Sequence, residues 1–115
     1  IWSVKKMKLS IQKTDKQIKE ITGLNCVLFR PPFGVTNNLI ASAVKQLQKR
    51  TIGWNLRTLD TYKSPDQVIK KIKSRLKPGD IVLFHDTNPN ILLELKETLE
   101  YCKQRKINLV ALQCG

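Results

Sequence analysis

Segments with the spacing of amphipathic helices alternate along this 115-residue chain with apolar runs of strand length, and that alternation constrains its fold more than any other feature. A first helix is predicted over Leu9–Thr22, with Ile11, Ile18 and Ile21 toward one side and Gly23 as its stop. Cys26-Val-Leu-Phe29 reads as a strand, and Asn37 or Asn38 can cap a second helix carrying Leu39, Ile40, Ala43, Val44 and Leu47. Ile52-Gly-Trp-Asn-Leu56 reads as a second strand. Ser64-Pro-Asp-Gln67 has the form of a capping box opening a helix with Val68, Ile69, Ile72 and Leu76 on one face. Ile81–Phe84 is a third strand. A last helix from Asn90 to Lys106 is expected to bury Ile91, Leu92, Leu95, Leu99 and Cys102, and Asn108–Leu112 closes the chain as a fourth strand. Strands separated by helices need crossover connections, so about four parallel strands in an α/β sheet or part of a barrel are expected.

Composition excludes some classes of function. No apolar run approaches the roughly 18 residues that a membrane-spanning helix needs. The net charge of +12 comes from 21 Lys and Arg against 9 Asp and Glu, and 16 of the cations are lysines spread over the predicted helices with few aromatics among them. That pattern reads as a solvated lysine-rich surface rather than the footprint of a nucleic-acid binder. Three cysteines, Cys26, Cys102 and Cys114, form no C-x-x-C pair and read as small buried hydrophobes. The single histidine excludes a catalytic zinc held by this chain alone, because such a site takes about three protein ligands, usually with more than one His.

Ligands of parallel sheets bind beyond the carboxyl ends of the strands, which directs attention to the loops after Phe29, Leu56 and Phe84. These loops hold Arg30, Asp60 and His85. Each has a plain structural alternative: Arg30 can pin its loop through a carbonyl, Asp60 can form a turn, and His85 can finish a strand by bonding a backbone carbonyl. Along the third strand Leu83 and His85 face one way, which sets an imidazole beside an apolar leucine at the strand mouth. That suits an acid or base working next to a small apolar group. Two prolines stiffen the backbone after Arg30, so its guanidinium can grip a carboxylate bidentately. Trp54 is expected in the core, with sugar stacking as the alternative.

Phe29-Arg-Pro-Pro-Phe-Gly34, then Trp54 with Asp60, then Ile81-Val-Leu-Phe-His-Asp86 resemble, in order and spacing, the last three motifs of the polysaccharide deacetylases, carbohydrate esterase family four. The resemblance implies that residues 1–115 are the C-terminal part of a distorted (β/α) barrel, whose N-terminal motifs of the types T-F-D-D and H-x-x-x-H would lie upstream of Ile1. It implies an enzyme that removes N-acetyl groups from chitin-like or peptidoglycan sugars, or O-acetyl groups from xylan. It also implies a divalent metal, usually zinc, on ligands in the upstream motifs, with no tight metal binding by this chain alone. His85 would be the general acid that protonates the departing amine, and Asp60 would hold its imidazole charged. Arg30 would pair with the catalytic Asp upstream, Leu83 would line the slot for the acetyl methyl, and Pro32 and Phe33 would form a groove wall. Thr61 stands where the family often has Trp, leaving Tyr62 or Trp54 to complete that wall.

The resemblance leans toward a cell-envelope or secreted setting and an acetylated polysaccharide as partner. A non-catalytic glycan-binding relative and a basic module for polyanions are the competing readings. The unpaired edge where upstream strands belong implies a chain that is less stable than the whole domain or self-associates.

Overall fold

Ser3 opens the first helix five residues earlier than the apolar spacing predicts. Its hydroxyl accepts the Lys6 backbone N–H at 3.2 Å, satisfying one of the donors a helix start leaves unpaired. In the computed structural model, which describes residues 3–34 and 36–112, helix α1 therefore runs over Val4–Thr22. Gly23 ends it in the left-handed region at φ 74°, donating to the Lys19 carbonyl. Strand β1, Leu28–Phe29, leads into a tight turn at Pro32–Gly34, and Asn37 caps helix α2, Asn38–Gln46, by accepting from Ile40 at 2.9 Å. After α2 come β2 (Arg50–Thr51), β3 (Leu56–Arg57), α3 (Pro65–Arg75), β4 (Val82–Leu83) and α4 (Ile91–Gln104). No helix among the described residues is long and apolar enough to cross a membrane.

The chain divides into two compact units; of the described residues, 3–53 belong to one and 54–112 to the other. In the first unit β1 and β2 pair in parallel with Leu28 opposite Arg50 and Phe29 opposite Thr51. Ile11 of α1 packs with Ile40, Ala43 and Val44 of α2, and Val4, Met7, Phe29 and Leu47 close around them. Ile21, placed on the same side of the helix as Ile11 by its spacing, is 84% exposed. Beneath the helices the Lys49 ammonium is almost wholly buried. It donates to Asp15 Oδ1 at 2.9 Å and to the Cys26 carbonyl, tying the entry of β2 to α1.

In the second unit β3 and β4 pair in parallel, Leu56 opposite Val82 and Arg57 opposite Leu83. The capping box is formed as its sequence requires: Ser64 accepts from the Gln67 backbone and Gln67 accepts from the Ser64 backbone. Helix α3 buries Val68 and Ile72, and the Tyr101 hydroxyl of α4 donates to the Lys73 carbonyl at 2.9 Å.

Three expectations are corrected. Ile52–Leu56 is not one strand, because the ladder changes partner within it: the Ile52 N–H bonds the Phe29 carbonyl, whereas the Asn55 and Leu56 N–H groups bond Ile81. Helix α4 buries Glu94, Thr98 and Cys102, one face at i, i+4 and i+8, while Leu92 is 81% exposed and Leu95 and Leu99 line an open groove of about 460 Å³ with Phe84, Leu109 and Val110. Hydrogen bonding carries that rotation, since Thr98 Oγ1 donates back to the Glu94 carbonyl at 2.7 Å and the Glu94 carboxylate has a buried partner described below. Residues 108–112 form no strand. The Ile107 N–H turns back to the Cys102 carbonyl, and the residues after it have no ladder partner among the described residues.

Lys49 gives the first unit a test. Asp15→Ala leaves a buried ammonium with one carbonyl partner, whereas Lys49→Met leaves a carboxylate that is 29% exposed and can turn to water. Asp15→Ala is expected to cost about 2 kcal/mol, below the roughly 3–5 kcal/mol of a fully buried broken pair, and more than Lys49→Met. Urea midpoints at pH 7 measure both, and the reverse order would mean that the pair is not what holds Lys49.

Candidate active site

Strands β3 and β4 are two residues each, too short for their own ladder to fix the loops around them, and side chains brace both ends. At the entry Asn55 Oδ1 accepts the Ile81 N–H at 2.6 Å and its amide donates to Asp80 Oδ1 at 2.5 Å. Asp80 also accepts from the Lys77 backbone and ammonium, both at 3.0 Å, and these bonds hold its carboxyl below the usual aspartate range. At the exit Thr58 Oγ1 donates to the Leu83 carbonyl at 2.7 Å. Leu59 then takes a left-handed conformation, φ 59°, and its carbonyl collects the N–H groups of Tyr62 and Lys63. That reversal turns Asp60 inward at the carboxyl end of β3.

Asp60 has no side-chain exposure. Its Oδ1 lies 2.7 Å from His85 Nδ1, while its Oδ2 accepts the His85 backbone N–H at 2.8 Å and Asn88 Nδ2 at 3.3 Å. Burial pushes this carboxyl up, but the ring and backbone bonds from His85, the attraction of its imidazole and the Asn88 amide outweigh burial and leave it below the usual range. An ionised Asp60 requires the proton of that contact to sit on Nδ1, which leaves Nε2 as the working nitrogen of a ring whose side chain is 43% exposed. A buried carboxylate that fixes one ring nitrogen of a partly exposed imidazole suits a group that gives or takes a proton.

Two partners of this pair are not apparent from the sequence. Asn88 is buried, accepts the Asn90 N–H on Oδ1 at 3.0 Å and donates from Nδ2 to Glu94 Oε2 at 2.7 Å as well as to Asp60. Glu94 is wholly buried, and its Oε1 has no hydrogen-bond partner among the described residues. The i, i+4, i+8 spacing of Glu94, Thr98 and Cys102 is the available signal, but the leucines of α4 make a more apolar stripe and mask it.

Of the other candidate residues, Leu83 is half-buried on β4 and Trp54 is half-buried at the start of the second unit. Arg30 belongs to the first unit, where its Nη2 donates to the Gly53 carbonyl at 3.1 Å, the loop-pinning role that its sequence left open. Pro31 is buried behind it. Pro32 is exposed, and Phe33 is 97% exposed at φ 56°, a conformation that costs a bulky residue about 1 kcal/mol or more. A cavity of about 620 Å³ in this unit is lined by Met7, Ile11, Phe29, Arg30 and Pro32 among others; its largely apolar wall does not match a sugar.

The described residues do not fit a metal. No group of three His, Cys, Asp or Glu among them could hold one, and Nδ1 of the single histidine is taken by Asp60.

The depressed carboxyl sets a pH dependence. Unfolded aspartate titrates near about 3.9 and folded Asp60 below it, so its contribution to stability is complete above the unfolded value and is lost as the pH falls through the folded one. Asp60→Asn is expected to cost about 2 kcal/mol at pH 6 and clearly less at pH 3, read from urea midpoints. An equal loss at both pH values would mean that the ionised carboxylate is not what the His85 and Asn88 donors stabilise.

Known proteins share both the sequence and the fold. The polysaccharide deacetylase family model matches residues 1–52, ending before Asp60 and His85. The peptidoglycan-N-acetylglucosamine deacetylase PgdA of Listeria monocytogenes is 30% identical over 103 residues, which are 89% of this chain and 22% of that protein. A family 4 carbohydrate esterase from Streptomyces lividans, solved with acetate, superposes with a TM-score of 0.87 at 23% identity over 97% of this chain and 58% of that one. A pseudoenzyme of the same esterase family from Bacillus anthracis superposes at 0.75 with 25% identity over 90% of this chain and 37% of that one. The chain spans 14% to 39% of the length of the curated relatives it matches. Its helices and parallel strand pairs are those of part of the distorted (β/α) barrel of these structures. Sequence match, relatives and fold together place this chain in the polysaccharide deacetylase family, carbohydrate esterase family 4.

Proposed function

We propose that residues 1–115 are the C-terminal portion of a deacetylase domain that hydrolyses N-acetyl groups of a peptidoglycan or chitin-like polysaccharide, with His85 as its general acid. The observation that carries this reading is the buried Asp60 carboxylate, which takes both the backbone N–H and the ring Nδ1 of His85 and leaves Nε2 at the open end of β4. Hydrolysis of an N-acetyl group adds water across the amide, breaks the C–N bond and gives acetate and a free amine. The proton from Nε2 goes to the departing nitrogen, and the Asp60 charge stabilises the imidazolium that supplies it. Leu83, two residues before His85 in extended backbone, flanks the acetyl methyl, and the outward Phe33 ring and Pro32 offer a face to sugar. Arg30, which donates from Nη2 to the Gly53 carbonyl, pairs in this reading with a catalytic carboxylate outside residues 1–115. The divalent metal of the family, zinc in this reading, takes its ligands from sequence other than this chain. The deacetylase named for the Listeria relative supports the choice of N-acetylated cell-wall sugar.

A second reading, a glycan-binding relative without turnover, is favoured by one observation: a chain of the same family and fold is a pseudoenzyme. Acetate release from N-acetylglucosamine oligomers by the whole protein separates the two. In the deacetylase, His85→Ala is expected to reduce turnover by about 10²-fold or more while oligomer binding persists. Binding without acetate release by the unaltered protein would establish the second reading, and near-normal turnover in the variant would remove His85 from the mechanism.

A further inference from the structure

Among the described residues Glu94 is a carboxyl group in the interior with a single side-chain partner and no cation. It is 0% exposed, its Oε2 accepts from Asn88 Nδ2 at 2.7 Å, and its Oε1 is buried with no hydrogen-bond partner among the described residues. Asn88, itself 3% exposed, is held on three sides: Oδ1 accepts from the Asn90 backbone, and the two hydrogens of Nδ2 reach Glu94 and Asp60 Oδ2. One amide thus stands between two buried carboxyls. If both were ionised, two negative charges would flank one neutral donor in a dry interior. Asp60 has His85 to balance its charge, whereas Glu94 has the Asn88 amide alone among the described residues, so Glu94 is the carboxyl whose charged form is the less favoured. Burial, and after it the Asp60 charge, push its carboxyl above the usual range. Among the described residues, Asp60 is the charged group that acts on it, and the buried positions of α3, Val68 and Ile72, are apolar.

We propose that Glu94 is a positioning residue for His85, holding Asn88 so that Asp60 Oδ2 keeps a side-chain donor beside the His85 backbone N–H and Oδ1 is presented to the imidazole. Without that anchor the Asn88 amide loses one of its two acceptors, Asp60 Oδ2 is left with the His85 backbone N–H, and the carboxylate that orients the Nδ1 proton is held less firmly. The inference deepens the deacetylase reading, which makes His85 the acid, but its test needs no substrate.

The chain has one histidine, so a sample labelled with ¹⁵N in the imidazole gives one ring spectrum, and long-range ¹H–¹⁵N correlation reads which nitrogen carries the proton. In the unaltered 115-residue chain above the imidazole titration, the Nδ1-protonated form is expected to dominate. Glu94→Leu and Asn88→Ala are each expected to lower the ratio of Nδ1- to Nε2-protonated ring by about twofold or more, because the hydrogen bond at one nitrogen selects the tautomer. Glu94→Gln keeps an acceptor toward Asn88 and is expected to retain the ratio. An unchanged ratio in Glu94→Leu would overturn the proposal, leaving Glu94 as packing alone. A change in Glu94→Gln as large as in Glu94→Leu would also overturn it, since Glu94 would then act by its charge. If Glu94→Leu does not fold, the pair Asn88→Ala and Asn88→Ala/Glu94→Gln decides: identical ratios support action through Asn88, and a further change in the double variant overturns it. Acetate release by the whole protein is a separate measurement. Its absence would end the deacetylase reading while leaving the ring ratios, and this inference, intact.

Discussion

A carboxylate with no exposed surface, Asp60, is the interaction on which the second unit depends. Burying a charge is unfavourable unless donors replace the water it loses, and here three do so: the His85 backbone, the His85 ring and the Asn88 amide. Each donor also fixes a piece of chain. The backbone bond ties the end of β4 to the loop after β3, the ring bond sets the imidazole, and the amide connects both to the turn into α4. The arrangement that solvates the charge is therefore the one that orders the site, and neither can be altered alone.

The strands themselves contribute little of that order. Each parallel pair has two residues on a side, and parallel ladders of that length give few backbone bonds. Side chains supply what the ladders lack. Asn55 and Asp80 close one end of the β3–β4 pair, and Thr58 with Asp60 closes the other. In the first unit the buried Lys49 does the same for β1 and β2. These are polar braces in a small core, and a polar brace works only in the register that pairs every donor, which gives short strands a defined alignment.

Local rules made the caps and turns legible in the sequence. Ser64-Pro-Asp-Gln67, Gly23 and Asn37 act through neighbours a few residues away, and each appears as its spacing requires. The family, the α/β class and the proximity of Asp60 to His85 were legible from motif strings and from the rule that chemistry gathers at strand ends. What failed was decided by distant partners. Counting apolar positions assigned α4 a leucine stripe, but the helix turns Glu94 inward because Asn88 offers a donor there, and a hydropathy pattern carries no record of that bond. The Ile52–Leu56 run looked continuous because strand propensity is indifferent to which neighbour a residue pairs with. Residues 108–112 have strand composition, yet β structure is a property of pairs, and composition does not provide the partner.

The buried network also bears on how chemistry is divided in the proposed enzyme. Amide hydrolysis needs water made nucleophilic at the start and a proton delivered to nitrogen at the end. In that proposal the proton delivery falls to His85, whose Nδ1 is fixed by the Asp60 carboxylate on a side chain that is 43% exposed. Activating the water needs a base or a metal, and the carboxyls around His85 are unsuited to that role. Asp60 is wholly enclosed and held below the usual range by its donors, and Glu94 is enclosed and held above it. Neither can reach a substrate water without dismantling the network that orients the acid. In the proposed reaction burial thus keeps both of these carboxyls out of the water-activating half.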